Sequence, residues 1–150
     1  MNQTEPSTEK ILDYLRTKGA RITPVVTYIV TYLHQSQSVH SPQEIKEVLN
    51  KNLSPNIGFS TIYRILDRLS NAGVLYRMHR NDNQTYFFLC RNPLGPDHHH
   101  HFICKTCKKV DEVPCCPAKD FQTQIQNTLK AKITDHIIQL GGLCAECKEK

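Results

Sequence analysis

Two pairs of cysteines near the carboxyl end of the chain have the spacing of metal ligands. Cys104 and Cys107 form one Cys-x-x-Cys knuckle, and Cys144 and Cys147 form a second one, 36 residues further on. Two intervening residues allow both thiolates of a knuckle to bind one ion at about 2.3 Å, and two knuckles complete a tetrahedral zinc site. The binding energy of such a closed site is also folding energy. We therefore predict a structural Zn²⁺ bound by these four thiolates.

The other cysteines and a run of histidines lie in the same part of the chain. All seven cysteines lie at or after Cys90. An odd number of cysteines in a chain without an export signal argues against a disulfide framework and favours metal or redox chemistry. The run His98–His101 lies just before the first knuckle. If it is a strand, His99 and His101 face one side and His98 and His100 the other, so that each pair could bind a different metal ion.

The first part of the chain has the pattern of helices followed by a β-hairpin. Apolar periodicity and capping residues predict helices over Thr8–Lys18, Pro24–His34, Pro42–Leu49 and Ser60–Ala72, the last one capped by Ser60 and ended by Gly73. Two strands follow, Val74–Met78 and Thr85–Leu89, joined by a polar turn. This order is typical of a winged helix, although an α+β domain without a special purpose would show the same pattern.

The remainder of the chain predicts a small α/β domain. Strands over His98–Cys104 and Lys109–Val113 precede a helix over Pro117–Ala131 and a strand over Ile133–Leu140 that ends at two glycines. So small a sheet needs a metal ion, a partner chain or both. Proline residues mark a change in composition, which predicts an α+β protein with domains over residues 1–92 and 98–150 and a hinge over 93–97.

Charge and hydropathy limit the possible partners. Of the net charge of +5, +4 belongs to residues 1–96, which hold 11 Lys/Arg and 7 Asp/Glu. This excess suits a phosphate-binding surface but does not establish one. No apolar run approaches the roughly 20 residues that span a bilayer, and residues 1–8 lack the features of a secretory signal. We expect a cytoplasmic protein that has no membrane partner.

The motifs in their order resemble the ferric uptake regulator (Fur) family from roughly Lys10 to Cys147. They are Arg21-Ile22-Thr23-Pro24, Ser60-Thr61-Ile62-Tyr63-Arg64, His98–His101 and the two cysteine knuckles. The resemblance implies a homodimer with an N-terminal winged-helix domain and a C-terminal dimerisation domain. In this family, bound metal favours the conformation that binds a pseudo-palindromic DNA operator. The chain departs from the family at Val25-Val26, where a Gln-Arg pair is usual.

The resemblance also implies how DNA is bound. The residues it assigns to DNA are Arg21, Ser60, Thr61, Tyr63, Arg64 and Arg77. The helix that begins near Ser60 would enter the major groove, where Tyr63 contacts a thymine methyl or base edge and Arg64 a base or phosphate. Arg21 would reach the minor groove, and Arg77 and Arg80 would hold phosphates at the wing. Tyr63 could instead be a half-buried packing residue.

Two further metal sites follow from the resemblance. His99, His101 and Glu112 match ligands of the family's regulatory site, and Cys90 falls where zinc-sensing members (Zur) place a cysteine. Tyr76 stands where some of those members have an aspartate ligand, so that His79 or Glu112 would complete the set. Thiolate and imidazole together favour Zn²⁺ over Fe²⁺ or Mn²⁺, although Cys90 could also be a small buried hydrophobe. The third site would use His98, His100 and His136, with Asp120 in place of the usual glutamate.

Three other functions can be compared with the sequence. An iron or peroxide sensor of the same family would use Fe²⁺ at the regulatory site, and His40 lies one position from a histidine that such sensors offer. A thiol redox protein stabilised by zinc would use Cys115 and Cys116 or Cys90. A metalloenzyme is not expected, because no general base lies beside an open metal position in the pattern. The sequence therefore predicts a metal-dependent, zinc-responsive DNA-binding repressor that has no enzymatic activity and no small organic substrate.

Overall fold

The chain folds into two compact units, Met1–Gly95 and Pro96–Lys150, in a computed structural model. The structure describes residues 6–53, 55–79, 83–90, 99–113, 119–134, 136 and 138–149. The expected hinge at 93–97 lies outside these residues, as do Arg80, His98, Cys115 and Cys116. Among the helices in the described ranges, none has the length and hydropathy that a bilayer crossing requires.

The first unit contains four helices and a hairpin, in the order that the sequence predicts. The elements are α1 (Thr8–Thr17), α2 (Pro24–Ser36), α3 (Pro42–Asn52), α4 (Phe59–Asn71), β1 (Leu75–His79) and β2 (Thr85–Leu89). The strands are antiparallel, and Leu75 lies opposite Leu89. The apolar faces of the helices and the hairpin form one buried core, which includes Ile29, Ile62 and Phe87.

Local capping explains where the first three helices begin. The Ser7 hydroxyl accepts a hydrogen bond from Lys10 N, and the Thr23 hydroxyl accepts one from Val26 N. At α3, the Ser41 hydroxyl and the Glu44 carboxylate satisfy each other's backbone N–H groups. Each cap satisfies donors that the first turn of a helix leaves without a partner. These three helix starts agree with the sequence prediction.

The start of α4 differs from the prediction that Ser60 is its cap. The N-cap residue is Gly58, which has an extended backbone and provides no side-chain cap. Its carbonyl oxygen accepts from Thr61 N at 3.1 Å and from Ile62 N at 3.3 Å. Because Ser60 lies inside the first turn, its side chain is exposed on the helix surface.

Gly73 ends α4 and turns the chain into β1. Its N–H donates to the carbonyl of Ser70 at 3.0 Å, and Val74 N donates to Leu69 O at 3.1 Å. These two bonds form a Schellman motif, which requires a left-handed residue after the helix. Gly73 has φ +75°, a conformation that costs an L side chain free energy. The predicted glycine stop is confirmed.

A short β-bridge that the sequence pattern did not reveal joins the hairpin to the helices. His40, between α2 and α3, pairs with Phe87 of β2. His40 N donates to Phe87 O at 2.8 Å, and Phe87 N donates to His40 O at 2.8 Å. A one-residue bridge leaves no periodicity in the sequence, because strand patterns need several alternating residues.

The described residues of the second unit form a three-stranded sheet and two helices. Its elements are β3 (His100–Cys104), β4 (Val110–Val113), α5 (Lys119–Leu129), β5 (Gln139–Gly142) and α6 (Ala145–Lys148). β3 is the central strand, antiparallel to β4 and parallel to β5.

The last strand lies later in the chain than the predicted span Ile133–Leu140. β5 begins at Gln139 and includes Gly141 and Gly142, because Cys104 pairs with Gly142 and Lys105 N donates to Gly142 O at 2.8 Å. A Cβ atom at Gly142 would lie 3.2 Å from the Phe102 ring. The glycine is therefore part of the strand, where it permits a close approach, and not a signal for the end of the strand.

Candidate metal centres and nucleic-acid interface

The four cysteines of the two knuckles converge in the second unit. Their sulfur atoms all lie within 4.8 Å of one another, and Cys107 Sγ lies 3.7 Å from Cys144 Sγ. Four sulfurs around a zinc ion at about 2.3 Å would be about 3.8 Å apart in a regular tetrahedron. The spacing and chemistry of the donors therefore fit a closed zinc site.

Strand pairing brings the two knuckles together. Cys104 is the last residue of β3, and Cys107 lies in the turn that follows it. Cys144 is the N-cap residue of α6, which contains Cys147. Cys144 N donates a hydrogen bond to Cys104 Sγ at 3.4 Å across the two knuckles. The parallel pairing of β3 with β5 therefore determines where the second knuckle begins.

The thiols of this cluster differ in acidity when no cation is bound. The pKa of Cys104 falls to about 6, because the N–H groups of Cys144 and Cys107 stabilise its thiolate. The pKa of Cys147 rises to about 12, because its thiol hydrogen-bonds with Cys144 and is partly desolvated. A divalent cation would favour deprotonation of all four groups, since thiolates are the ligating form.

Three of the predicted regulatory ligands share one face of the sheet in the second unit. His101 of β3 lies directly opposite Glu112 of β4. The rings of His99 and His101 meet edge to face, with centroids 4.8 Å apart. Burial and the neighbouring His99 and His100 rings lower the pKa of His101 to about 4. A neutral imidazole is the form that binds metal, and His101 is neutral at physiological pH.

The other two predicted regulatory ligands belong to the first unit. Cys90 directly follows β2, is fully buried, and donates its backbone N–H to Val74 O at 3.4 Å. His79, the last residue of β1, is exposed, and its Nδ1 lies 3.3 Å from the Thr85 hydroxyl. The Tyr76 ring stacks on Phe88 with centroids 5.6 Å apart, which shows that an aromatic contact occupies this position.

Two histidines of the predicted third site, His100 and His136, lie close together in the structure. The rings of His100 and His136 have centroids 5.2 Å apart. The side-chain amide of Gln122 hydrogen-bonds to His136 Nδ1, and Asp120 is exposed in the first turn of α5. Asp120 stays a predicted ligand, and Gln122, which the sequence analysis did not name, lies about half a turn further along the helix.

His40 has hydroxyl groups at both ring nitrogens. Its Nδ1 lies 3.2 Å from the Tyr32 hydroxyl, and its Nε2 lies 2.9 Å from the Ser36 and 3.0 Å from the Ser38 hydroxyl oxygen. These contacts, together with the backbone bridge to Phe87, explain His40 as a residue that connects α2 to the hairpin. They do not support a role of His40 as a metal ligand. The position of His40 in the sequence was the feature that had pointed to an iron or peroxide sensor.

Helix α4 has one buried and one exposed face. Ile62, Leu66 and Leu69 are buried in the core. The residues on the exposed face include four that the sequence assigned to DNA: Ser60, Thr61, Tyr63 and Arg64. Tyr63 is 46% exposed, so that about half of this residue is accessible to a partner. A helix with this division can insert its outer face into a groove of DNA.

Two cations lie at opposite ends of α4. Arg77 of β1 donates to the Asp67 carboxylate at 2.7 Å. Lys46 of α3, which the sequence analysis did not single out, places Nζ 4.3 Å from the centroid of the Phe59 ring. Arg21, the remaining cation assigned to DNA, is exposed just before α2.

Comparison with known proteins supports one family. A sequence profile described as the ferric uptake regulator family matches residues 17–141. The chain is 30% identical over 143 residues to the ferric uptake regulation protein of Bacillus subtilis (strain 168), which covers 95% of each protein. It is 29% identical over 142 residues to the peroxide-responsive repressor PerR of Staphylococcus epidermidis, covering 95% of this chain and 91% of that protein.

The fold is shared with solved structures as well. A zinc uptake regulator in complex with zinc and DNA superposes with a TM-score of 0.75, at 23% identity and with 96% of this chain and 97% of that chain covered. At that identity the likeness establishes the fold alone. The profile match over most of the sequence and the Bacillus relative establish more: this chain belongs to the ferric uptake regulator family of metal-responsive transcriptional regulators.

Proposed function

We propose that the chain is a homodimeric repressor that binds a double-stranded DNA operator when Zn²⁺ is bound at its regulatory site. The observation that carries the proposal is α4, whose apolar face is buried while Ser60, Thr61, Tyr63 and Arg64 are exposed on the other. As a member of a family of transcriptional regulators, the chain is not an enzyme, as expected from its sequence.

The exposed residues of α4 have the chemistry for reading DNA. Arg64 can donate to guanine O6 and N7 or to a phosphate, and Tyr63 offers an apolar ring to a thymine methyl. Arg21 and Arg77 would add contacts outside the major groove. Residues 1–92 would then be the DNA-binding domain, and residues 98–150 the dimerisation and metal-binding domain.

Exposed apolar groups in the second unit support the dimer. Phe121 and Leu129 of α5 are 62% and 68% exposed, and their spacing of eight residues places them on the same side of the helix. β5 is an edge strand of the described sheet, with Leu140 on it. Large apolar side chains that are exposed on a helix and on an edge strand suit a self-complementary interface.

The donor set of the proposed regulatory site favours zinc. Cys90, His99, His101 and Glu112 would hold the ion, with His79 as a further donor. A thiolate among the ligands selects zinc over Fe²⁺ or Mn²⁺, which prefer oxygen and nitrogen. Zinc supplies a redox-inert link between its ligands. Cys104, Cys107, Cys144 and Cys147 would hold a separate, structural zinc ion, and a third site at His98, His100, His136 and Asp120 remains a prediction.

The proposal is tested by metal content and metal-dependent DNA selection. The full chain, purified without added metal, is expected to retain about one zinc per protomer in the closed four-cysteine site. Selection from a random DNA pool in zinc, iron and manganese buffers is then expected to enrich a pseudo-palindrome in zinc alone. Enrichment only with iron or manganese would instead favour the iron or peroxide sensor. A response to thiol oxidation without loss of zinc would favour the redox alternative.

A further inference from the structure

An aromatic ring and a lysine together form the N-terminal end of the exposed face of α4. Phe59, the first residue of the helix, is 40% exposed although it is strongly apolar. Its ring lies beside that of Tyr63, one turn later, with centroids 6.4 Å apart. Lys46 Nζ also lies over the Phe59 ring, 4.3 Å from its centroid. Phe59 therefore contacts a cation from α3 as well as a residue assigned to DNA.

The charge of Lys46 is not neutralised by the acidic residues beside it on α3. Glu44 accepts from Ser41 N at 2.7 Å in the capping box, and Glu47 accepts from the Gln43 amide at 2.7 Å. Among the described residues, no carboxylate lies within ion-pair distance of Lys46. A ring quadrupole attracts an ammonium group without cancelling its charge. Lys46 thus carries a full positive charge at a defined position.

Arg77 at the other end of α4 provides the contrast. Its guanidinium group is paired with the Asp67 carboxylate at 2.7 Å, so the net charge of that pair is zero. An incoming phosphate would compete with Asp67 for Arg77, whereas it would meet no competing carboxylate at Lys46. Arg77, which the family resemblance assigned to DNA, is therefore less available to a phosphate than Lys46.

We propose that Lys46 binds a DNA phosphate and that Phe59 positions it, so that the DNA interface extends from α4 to α3. The proposal rests on the DNA-binding function proposed above. The alternative is that the pair only stabilises the packing of α3 on α4. In the alternative, removal of the charge alters stability but not the salt dependence of DNA binding.

The test compares the salt dependence of operator binding among zinc-loaded full-length variants. Lys46→Met keeps the apolar stem of the side chain and removes its charge. We expect the slope of log affinity against log salt to fall by about 0.9 per protomer, since one counterion fewer is released. Over a fourfold rise in salt, the variant then loses about 3.5-fold less affinity per protomer than the wild type. Lys46→Arg is expected to restore most of the slope.

Phe59→Leu tests the positioning role. In the wild-type background, it is expected to weaken binding, because the lysine loses its aromatic contact. In the Lys46→Met background, the same change is expected to have a smaller effect, which comes only from the contact of Phe59 with Tyr63, because coupled residues show non-additive effects in a double-mutant cycle. Equal effects in both backgrounds would show that Phe59 does not position Lys46, and would overturn that part of the proposal.

The matched control for Lys46→Met is Lys51→Met, which removes an exposed lysine from the last turn of α3, the helix that also contains Lys46. We expect it to leave the slope unchanged, and zinc content and thermal unfolding verify that every variant is folded. A wild-type slope in Lys46→Met overturns the inference and leaves the proposed function intact. If the wild-type protein selects no DNA with any metal, the proposed function fails, and this inference fails with it.

Discussion

On the exposed face of α4, Asp67 determines how available the neighbouring Arg77 of β1 is for a phosphate, because the two side chains form an ion pair. Arg77 and Asp67 form an ion pair whose side chains are 42% and 53% exposed. Such a surface pair contributes about 0–1 kcal/mol to stability, because solvent screens it. We expect a larger effect of this pair on DNA binding, since Asp67 would repel a phosphate and already pairs with the guanidinium group of Arg77.

We predict that Asp67→Asn increases the affinity for operator DNA. The change removes a negative charge from the helix face and releases Arg77, which is expected to add about 1 kcal/mol, or roughly fivefold, at low salt. Fluorescence anisotropy with a labelled operator measures this change. Asp13→Asn, which disrupts a similar exposed pair with Arg16 on α1, is the control for net charge. An affinity equal to or below that of the wild type would contradict the prediction.

A second prediction concerns the residues that read the DNA. Tyr63→Ala and Arg64→Ala are each expected to reduce operator affinity by about 1–3 kcal/mol, because a base contact is lost in each. Both side chains are exposed, so that zinc content and dimerisation are expected to stay unchanged. Binding assays, metal analysis and gel filtration of the same samples test this. If both variants bind as the wild type does, another element recognises the operator.

At the scale of elements, Gly73 determines how α4 connects to the wing. Its φ of +75° disfavours any residue with a Cβ, although an added Cβ would meet no atom within 4 Å. We predict that Gly73→Ala lowers the free energy of unfolding by about 1 kcal/mol through backbone conformation alone. Urea denaturation of the zinc-loaded protein measures the loss. Gly58→Ser, at a negative-φ N-cap position, is expected to keep or slightly raise stability, and a loss of similar size there would refute the explanation.

The two cysteine knuckles connect β3 to β5 and α6. A structural zinc site contributes about 10–16 kcal/mol of binding energy, which is comparable with the entire stability of a domain. Cys104→Ser is therefore expected to lose the structural zinc and to unfold or dissociate the second unit. Metal analysis and circular dichroism of the full chain check this outcome, with Cys90→Ser as the thiol control. A folded, dimeric Cys104→Ser protein that contains no zinc would disprove the structural role.

At the scale of the whole molecule, the proposed switch depends on ligands that belong to different units. Cys90 and His79 belong to the first unit, and His99, His101 and Glu112 to the second. An ion held by ligands from both would restrict the orientation of the recognition helices, whose spacing must match the half-sites of the operator. A shift from mostly inactive to mostly active requires about 5.5 kcal/mol of differential affinity, which one or two additional metal–ligand bonds can supply.

We predict that Cys90→Ser retains the structural zinc and the fold but loses DNA binding at low free zinc. Serine replaces a soft thiolate with a neutral hydroxyl, which is a poor ligand for zinc. Operator binding in zinc-buffered solutions, followed over a range of free zinc, is the measurement. A wild-type zinc response in Cys90→Ser would show that Cys90 is only a buried packing residue, and the assignment as a zinc sensor would lose its main support.

The sequence by itself determined the features that depend on residues close together in the chain. Capping residues and helical periodicity predicted the starts of α1, α2 and α3, and alternation predicted β2 at its observed bounds, Thr85–Leu89. The spacing within each Cys-x-x-Cys knuckle predicted paired ligands, and the structure brings the four sulfurs together. Such local patterns reflect the short-range geometry of helices, strands and turns, which tertiary contacts seldom reverse.

Only the tertiary structure decided which distant residues meet. The register of β5 follows from its pairing with β3 and not from its own apolar run. The N-cap residue of α4 is Gly58, although Ser60, two residues later, has the better capping side chain. The pairing of Lys46 with Phe59 and of Arg77 with Asp67 joins residues from different elements. Their meeting depends on how the helices and the hairpin pack around a shared core, and packing of that kind leaves no periodic trace in a single sequence.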